Sequence, residues 1–169
     1  INFKLGIENA NSDNAIDYSL RTGITSLRDR FNASETDWGT NLNASLGISD
    51  NVFALVSADA YLTQRSDGNI VDNRNLFRVK PTFKYTSPLF TLTVGVNAVN
   101  QTDQRQNIND SRAFPVVNID VAPVGNIHIF GGVDGDINRN TLRSLLAENK
   151  WLAPQVLLAN TVKSLDIYG

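Results

Sequence analysis

The residues able to do chemistry are few and scattered. The sequence holds one His and no Cys, among 17 Asp and Glu and 15 Lys and Arg. Without Cys there is no disulfide, no thiolate metal site and no Cys nucleophile. His128 lies on the polar parity of its segment near Asp134, with Asp120 on the segment before it. A metal site would want a second His at helical spacing or a Cys pair, and neither exists, so His128 is read as a hydrogen-bonding group rather than a ligand. Asp134-Gly135-Asp136-Ile137-Asn138 has the opening of a calcium loop but lacks the full pattern and its terminal Glu. Gly131, Gly132 and Gly135 mark a bend or a close approach of strands. There is no phosphate-cradling Gly-Lys motif, no Gly-x-Ser-x-Gly and no triad. No nucleophile stands beside a base, so the chain is expected to be no enzyme and to carry no cofactor and no metal. Arg78, Lys80 and Lys84 form a basic row, with Asp59, Asp120, Asp134 and Asp166 on polar faces elsewhere. Such a row attracts anionic solutes or balances carboxylates across an interior; since burying an unpaired charge is costly, pairing is the default.

The elements that position these groups are strands. Apolar residues recur at every second position. Phe3, Leu5 and Ile7 oppose Asn2, Lys4, Gly6 and Glu8, and the pattern returns in eight further segments. It is carried by Ile16–Ile24, Trp38–Ile48, Val52–Leu62, Phe77–Tyr85, Phe90–Ala98, Val117–Val121, Ile127–Val133 and Leu165–Ile167. Successive side chains of a strand point to opposite faces, so this predicts nine two-faced strands. Several run for roughly 10–14 residues, the length that crosses a bilayer at a tilt, whereas soluble strands cluster near 5–6. Their polar faces are rich in Asn, Thr, Ser and Gly, which suits a crowded, hydrated lumen. Pro81 falls mid-strand on an apolar face, where a ladder donor is lost; a bulge or an edge would accommodate it.

The connections 9–14, 49–51, 86–88 and 123–125 are shorter than the connections 28–36, 64–74, 102–112 and 136–160 between them. Short turns on one rim and long loops on the other are the organisation of an outer-membrane barrel. The last connection holds the only helical signal, with Leu142, Leu145 and Leu146 on one face and Asn138 or Asn140 as the cap. This helix is expected to pack its Leu stripe on the apolar run 150–158 and on the rim, or else to present Trp151 as an aromatic platform for a ligand. No run of about 18 apolar residues offers a membrane helix. A net charge of −2 disfavours nucleic acid as a partner.

The fold class expected from these observations is all-β: an antiparallel up-and-down transmembrane β-barrel segment of nine strands with one short helix in its last long loop. Residues 1–169 open and close inside patterned segments, and an odd strand count is foreign to bacterial single-chain barrels, so a fragment of a larger barrel is expected. The run Asn140-Thr141-Leu142-Arg143-Ser144-Leu145-Leu146-Ala147-Glu148-Asn149-Lys150-Trp151-Leu152-Ala153-Pro154 is similar to a loop of TonB-dependent receptors. Phe83-Lys84-Tyr85 with Leu89-Phe90-Thr91-Leu92-Thr93-Val94-Gly95-Val96-Asn97 resembles the barrel texture of the same family. The resemblance implies a barrel of about 22 strands with an N-terminal plug. It implies a bacterial outer-membrane location and uptake of scarce nutrients, a small molecule or glycan, driven by an inner-membrane energy-coupling protein acting through that plug. Outer-membrane lipid is the surrounding partner. Two alternatives stay open, a passive porin or structural outer-membrane barrel, and a soluble all-β binding or adhesion module. The lumen-facing candidates are Arg78, Lys80, Lys84, Asp120, His128 and Asp134, and the loop candidate is Trp151.

Overall fold

The computed structural model describes residues 1–9, 16–29, 32–68, 70–124, 127–151 and 157–169. Nine strands follow one another in chain order: β1 (Asn2–Glu8), β2 (Ile16–Arg28), β3 (Ser34–Ser49), β4 (Val52–Asp67), β5 (Ile70–Thr86), β6 (Phe90–Asp103), β7 (Ile108–Val124), β8 (Ile127–Asn138) and β9 (Thr161–Tyr168). Each pairs antiparallel with the next, in a single open sheet whose edges are β1 and β9. A short helix, α1 (Leu142–Glu148), lies between β8 and β9. The period-two pattern is therefore realised as an up-and-down meander, and its register keeps the apolar parity together across strands. Ile24 faces Trp38, Leu42 faces Ala58, Phe83 faces Val94, and Val94 faces Val117.

The strands are longer than the alternation alone indicates. β3 and β4 have 16 residues, β5 and β7 have 17. The connection expected over 64–74 shrinks to the gap between Asp67 and Ile70, and the one expected over 102–112 shrinks to 104–107. Gly68 and Asn107 take positive φ at these turns, which glycine and asparagine tolerate best. The expected alternation of short and long connections is thus lost between Asp67 and Ile70. The cause is local: from Thr63 to Asp67 and from Asp72 to Asn75 both faces of the hairpin are polar, so hydrophobic alternation stops while the ladder continues from Thr63↔Arg74 to Asp67↔Ile70.

Pro81 occupies neither an edge nor a bulge. β5 is central, and its register with β6 is the same on either side of the proline, at Val79↔Ala98 and Thr82↔Gly95. The missing N–H simply interrupts the ladder at Lys80 and Pro81. Gly95 sits against this gap: a Cβ there would lie 2.3 Å from the Pro81 carbonyl oxygen, so only glycine permits the approach.

Burial is inverted relative to a soluble sheet. Phe83, Val94, Val117 and Ile129 are 57%, 40%, 39% and 62% exposed, while Glu35, Arg65, Asp72 and Asp103 are buried. Among the described residues two small apolar clusters are buried. One gathers Leu76, Val99, Phe114 and Ile137; the other gathers Ala33, Leu142 and Leu158.

Candidate functional site: the polar face and its in-folded segment

The second half of β8 builds the site. β7 and β8 pair from Val124↔Ile127 to Val117↔Val133, and no further. Beyond Val133, β8 leaves its neighbour and runs over the polar face of β7, β6 and β5. Gly135 makes this possible, because a Cβ at that position would meet the Phe114 ring and the Ser164 carbonyl oxygen at 2.7 Å each. A bulge in the β8–β9 ladder between Asp134 and Asp136 keeps β9 paired through the bend. The carbonyl of Gly135 accepts from Asn97 Nδ2 at 2.9 Å, and that of Ile137 accepts from Arg78 Nη2 at 3.0 Å.

Charged side chains hold the segment down. Arg78 bridges Asp59 on β4 and Asp136 on β8, each at 2.8 Å. Arg139 grips the Asp37 carboxylate with both terminal nitrogens, stacks on Tyr61 at 4.2 Å from the ring centroid, and donates to Thr63. Arg74, buried on β5, donates to the Asn140 carbonyl at 2.6 Å and to Asn160 Oδ1 at 2.9 Å, with Asp103 at 3.6 Å. Gln106 Nε2 donates to the Leu158 carbonyl at 3.0 Å. Three guanidinium groups thus anchor the in-folded connection, Arg74 and Arg78 from β5 and Arg139 reaching out to β3 and β4.

Glu35 closes the arrangement. Its carboxylate accepts the Leu142 N–H at 2.9 and 3.0 Å, at the first turn of α1. The cap is Thr141, reciprocated by Ser144 in a capping box, and not Asn138 or Asn140. Leu142 packs on Ala33 and Leu158, with Leu145, Leu146 and Leu27 alongside. The Leu stripe therefore meets both the rim and the end of the apolar run; residues 152–156 of that run lie outside the described residues. Glu35 precedes Trp38, the first apolar-face residue of β3, so it stands beyond the apolar belt. Burial pushes its carboxyl above the usual value, opposed by the backbone N–H groups of Leu142 and Arg143 and by the Arg74 charge.

The predicted residues are distributed along this face. Of the basic row, Arg78 is carboxylate-paired as expected of a buried charge. Lys80 and Lys84 share its face toward the short-turn rim, with no ion pair among the described residues. Lys80 lines a groove of 570 Å³ there, together with Glu8 and Asp17. His128 Nδ1 lies 3.0 Å from Asp120, both half-exposed, and it is Asp120 rather than Asp134 that partners it. Asp134 instead stands opposite Asp166 on β9. Trp151 is 77% exposed, its backbone N–H donating to Asn149 Oδ1. Among the described residues no three His, Asp or Glu converge as a metal site.

Glu35, Arg65, Arg74, Asp103 and Arg139 escape the hydrophobic pattern because they fall in stretches that look like loops, while Asp37 belongs to the polar parity of the third segment without its partner being legible. Their signal is a continued alternation in charge, as in Thr63, Arg65 and Asp67 facing inward between Leu62, Gln64 and Ser66. A second groove, of 580 Å³, lies between β1–β3 and the start of α1, with Lys4, Arg21, Tyr61 and Arg143 in its wall. No family model, no curated protein and no solved structure matches this chain.

Proposed function

We propose that this sheet is part of a bacterial outer-membrane β-barrel that takes up a solute, with the apolar face against lipid and the polar face lining the lumen. The observation that carries the proposal is the outward face. From Ile16 to Ile24, Trp38 to Ile48, Phe77 to Tyr85 and Phe90 to Ala98 its parity holds no charged residue, and its large side chains are partly or largely exposed. Within these spans of β2 and β3 the two threonines of that parity, Thr22 and Thr40, bond each other at 2.9 Å, while Trp38 Nε1 donates to Thr22 at 2.8 Å. Self-satisfied polar groups are what hydrocarbon demands. Ten residue steps from Trp38 to Ile48 span about 33 Å along a strand, or about 25 Å of height at a tilt near 40°, the depth of an outer-membrane apolar band. A soluble module would leave a continuous apolar face of nine strands in water, far beyond the patches monomers tolerate.

Within that class, an energy-coupled TonB-dependent receptor is the favoured assignment. The resemblance of 83–97 and 140–154 supports it, and so does a segment folded into the polar face, where a transported ligand would be held. The plug and the inner-membrane coupling protein belong to that assignment. A passive porin is the alternative, and steady solute conductance without energy input would select it.

The sequence has two Trp residues, which gives a direct test of the faces. In vesicles with brominated acyl chains, Trp38 fluorescence measured in a Trp151→Phe background should be quenched at least twofold. Trp151 measured in a Trp38→Phe background should change little. Unquenched Trp38, or a chain that stays monodisperse without detergent, overturns the membrane assignment.

A further inference from the structure

The grooves on the polar face differ in how their charges are spent. In the one beside α1, both carboxylates are already engaged. Asp37 is held by Arg139 and Thr63, and Glu35, 3% exposed, is committed to the Leu142 amide. Two of the cations are not. Lys4 and Arg143 have no carboxylate within ion-pair distance among the described residues. Arg21 reaches only Glu8, at 3.9 Å, with both side chains about 70% exposed. Arg139 is neutralised by Asp37 and Arg21 is loosely paired with Glu8, so Lys4 and Arg143 face the 580 Å³ groove with no ion-pair partner among the described residues, and its lining, Lys4, Arg21, Arg139 and Arg143 against Glu35 and Asp37, stays net positive. The Lys80 groove carries the opposite balance, one Lys against Glu8 and Asp17.

The strand backbones add shape. Gly23 faces Lys4 on one side and Gly39 on the other, and Gly39 faces Tyr61. Across that row the floor has no side chain of its own, and Lys4 and Tyr61 stand at its two ends. A concave site walled by protein and carrying uncompensated positive charge concentrates anions, and guanidinium groups recognise carboxylate and phosphate oxygens in pairs.

We propose that this groove is an anion-binding subsite for a small solute bearing several carboxylate or phosphate oxygens, held by Lys4, Arg21 and Arg143. The inference rests on the uptake proposal only in taking the polar face as a water-filled lumen. A lipid-exposed apolar face with no anion binding would leave that proposal standing and remove this one.

Calorimetric titration of the full chain in a nonionic detergent tests it, with inorganic pyrophosphate and tricarballylate as probes and trehalose as the uncharged control. Binding of either anion and not of trehalose is expected, weakening as salt is raised. Pyrophosphate alone identifies phosphate as the recognised group, and tricarballylate alone identifies carboxylate. Lys4→Gln and Arg143→Gln should each weaken binding about tenfold, the usual worth of a charged hydrogen bond. Arg105→Gln, at the same rim but outside the groove, should leave it unchanged. Both groove side chains are exposed, so their loss spares the fold, checked by an unaltered Trp emission spectrum. No binding of either anion, equal binding of trehalose, or indifference to both groove variants overturns the proposal.

Discussion

Arg78 is the residue on which two layers of the molecule meet. Its guanidinium spans Asp59, on a neighbouring strand, and Asp136, on the segment folded over the sheet, and its side chain is 16% exposed. Neither carboxylate has another cation within ion-pair distance among the described residues. Removing the arginine therefore leaves two like charges facing one another in a half-buried place, which costs far more than losing a surface pair. Arg78→Gln should lower stability by about 3 kcal/mol, read from urea unfolding of the chain in lipid or detergent. Lys84→Gln, on the same strand and face but with no ion pair, should change it by less than about 0.5 kcal/mol. Equal effects would mean that Arg78 contributes as a spacer and not as a bridge.

The helix α1 is too short to stand alone, and it depends on what caps and buries it. Thr141 and Ser144 satisfy its first turn, Leu142 anchors it, and Glu35 reaches it from β3. Because burial raises the Glu35 carboxyl, the docked state binds a proton more tightly than an undocked one. Docking stability from this group is therefore present at and below the ordinary value of 4.5 and is lost as pH rises through the raised value. Arg74 on β5 opposes the shift and Asp37 on β3 adds to it, with the amides of Leu142 and Arg143 favouring the ionised form. Hydrogen exchange of the Leu145 and Asn149 amides, corrected for intrinsic rate, should slow on acidification through that window. Glu35→Gln should flatten the dependence. A profile that steepens in the variant would assign the titration to another group. The helix itself is legible in the leucine spacing, and so are the nine strands in their apolar parity. The hairpin extensions above the belt are not, because Arg65, Asp72 and Arg74 alternate with other polar residues. Nor is the inward turn at Gly135, since a glycine allows a close approach without saying which neighbour will make it. Asp37 and Arg139, 102 positions apart, meet only because β8 takes that turn.

At the scale of the whole sheet, the decisive property is which way each face looks. Val94 sits centrally, between Phe83 and Val117 across the ladder, and is 40% exposed in the charge-free apolar parity of Phe90–Ala98. Thr93, one residue earlier, points to the other side, opposite Lys84 and Asn118. The same lysine substitution at these neighbouring positions meets opposite environments. If the apolar face lies in hydrocarbon, Val94→Lys should cost about 2–4 kcal/mol, as a lysine near the bilayer midplane does. Ile129→Lys, nearer the short-turn rim where Ile129 faces Val121, should cost less, because the penalty falls toward the interface. Thr93→Lys should be mild, under about 1 kcal/mol, since a lumen hydrates the added charge. The measurement is the yield and urea midpoint of folding into vesicles for the three variants. In water the order would reverse, for a lysine on an exposed apolar face relieves a patch, while one on the more crowded polar face meets Lys84. The sign of the difference between Val94→Lys and Thr93→Lys thus separates a lipid-facing sheet from a soluble one without knowledge of the ligand or of the remaining strands.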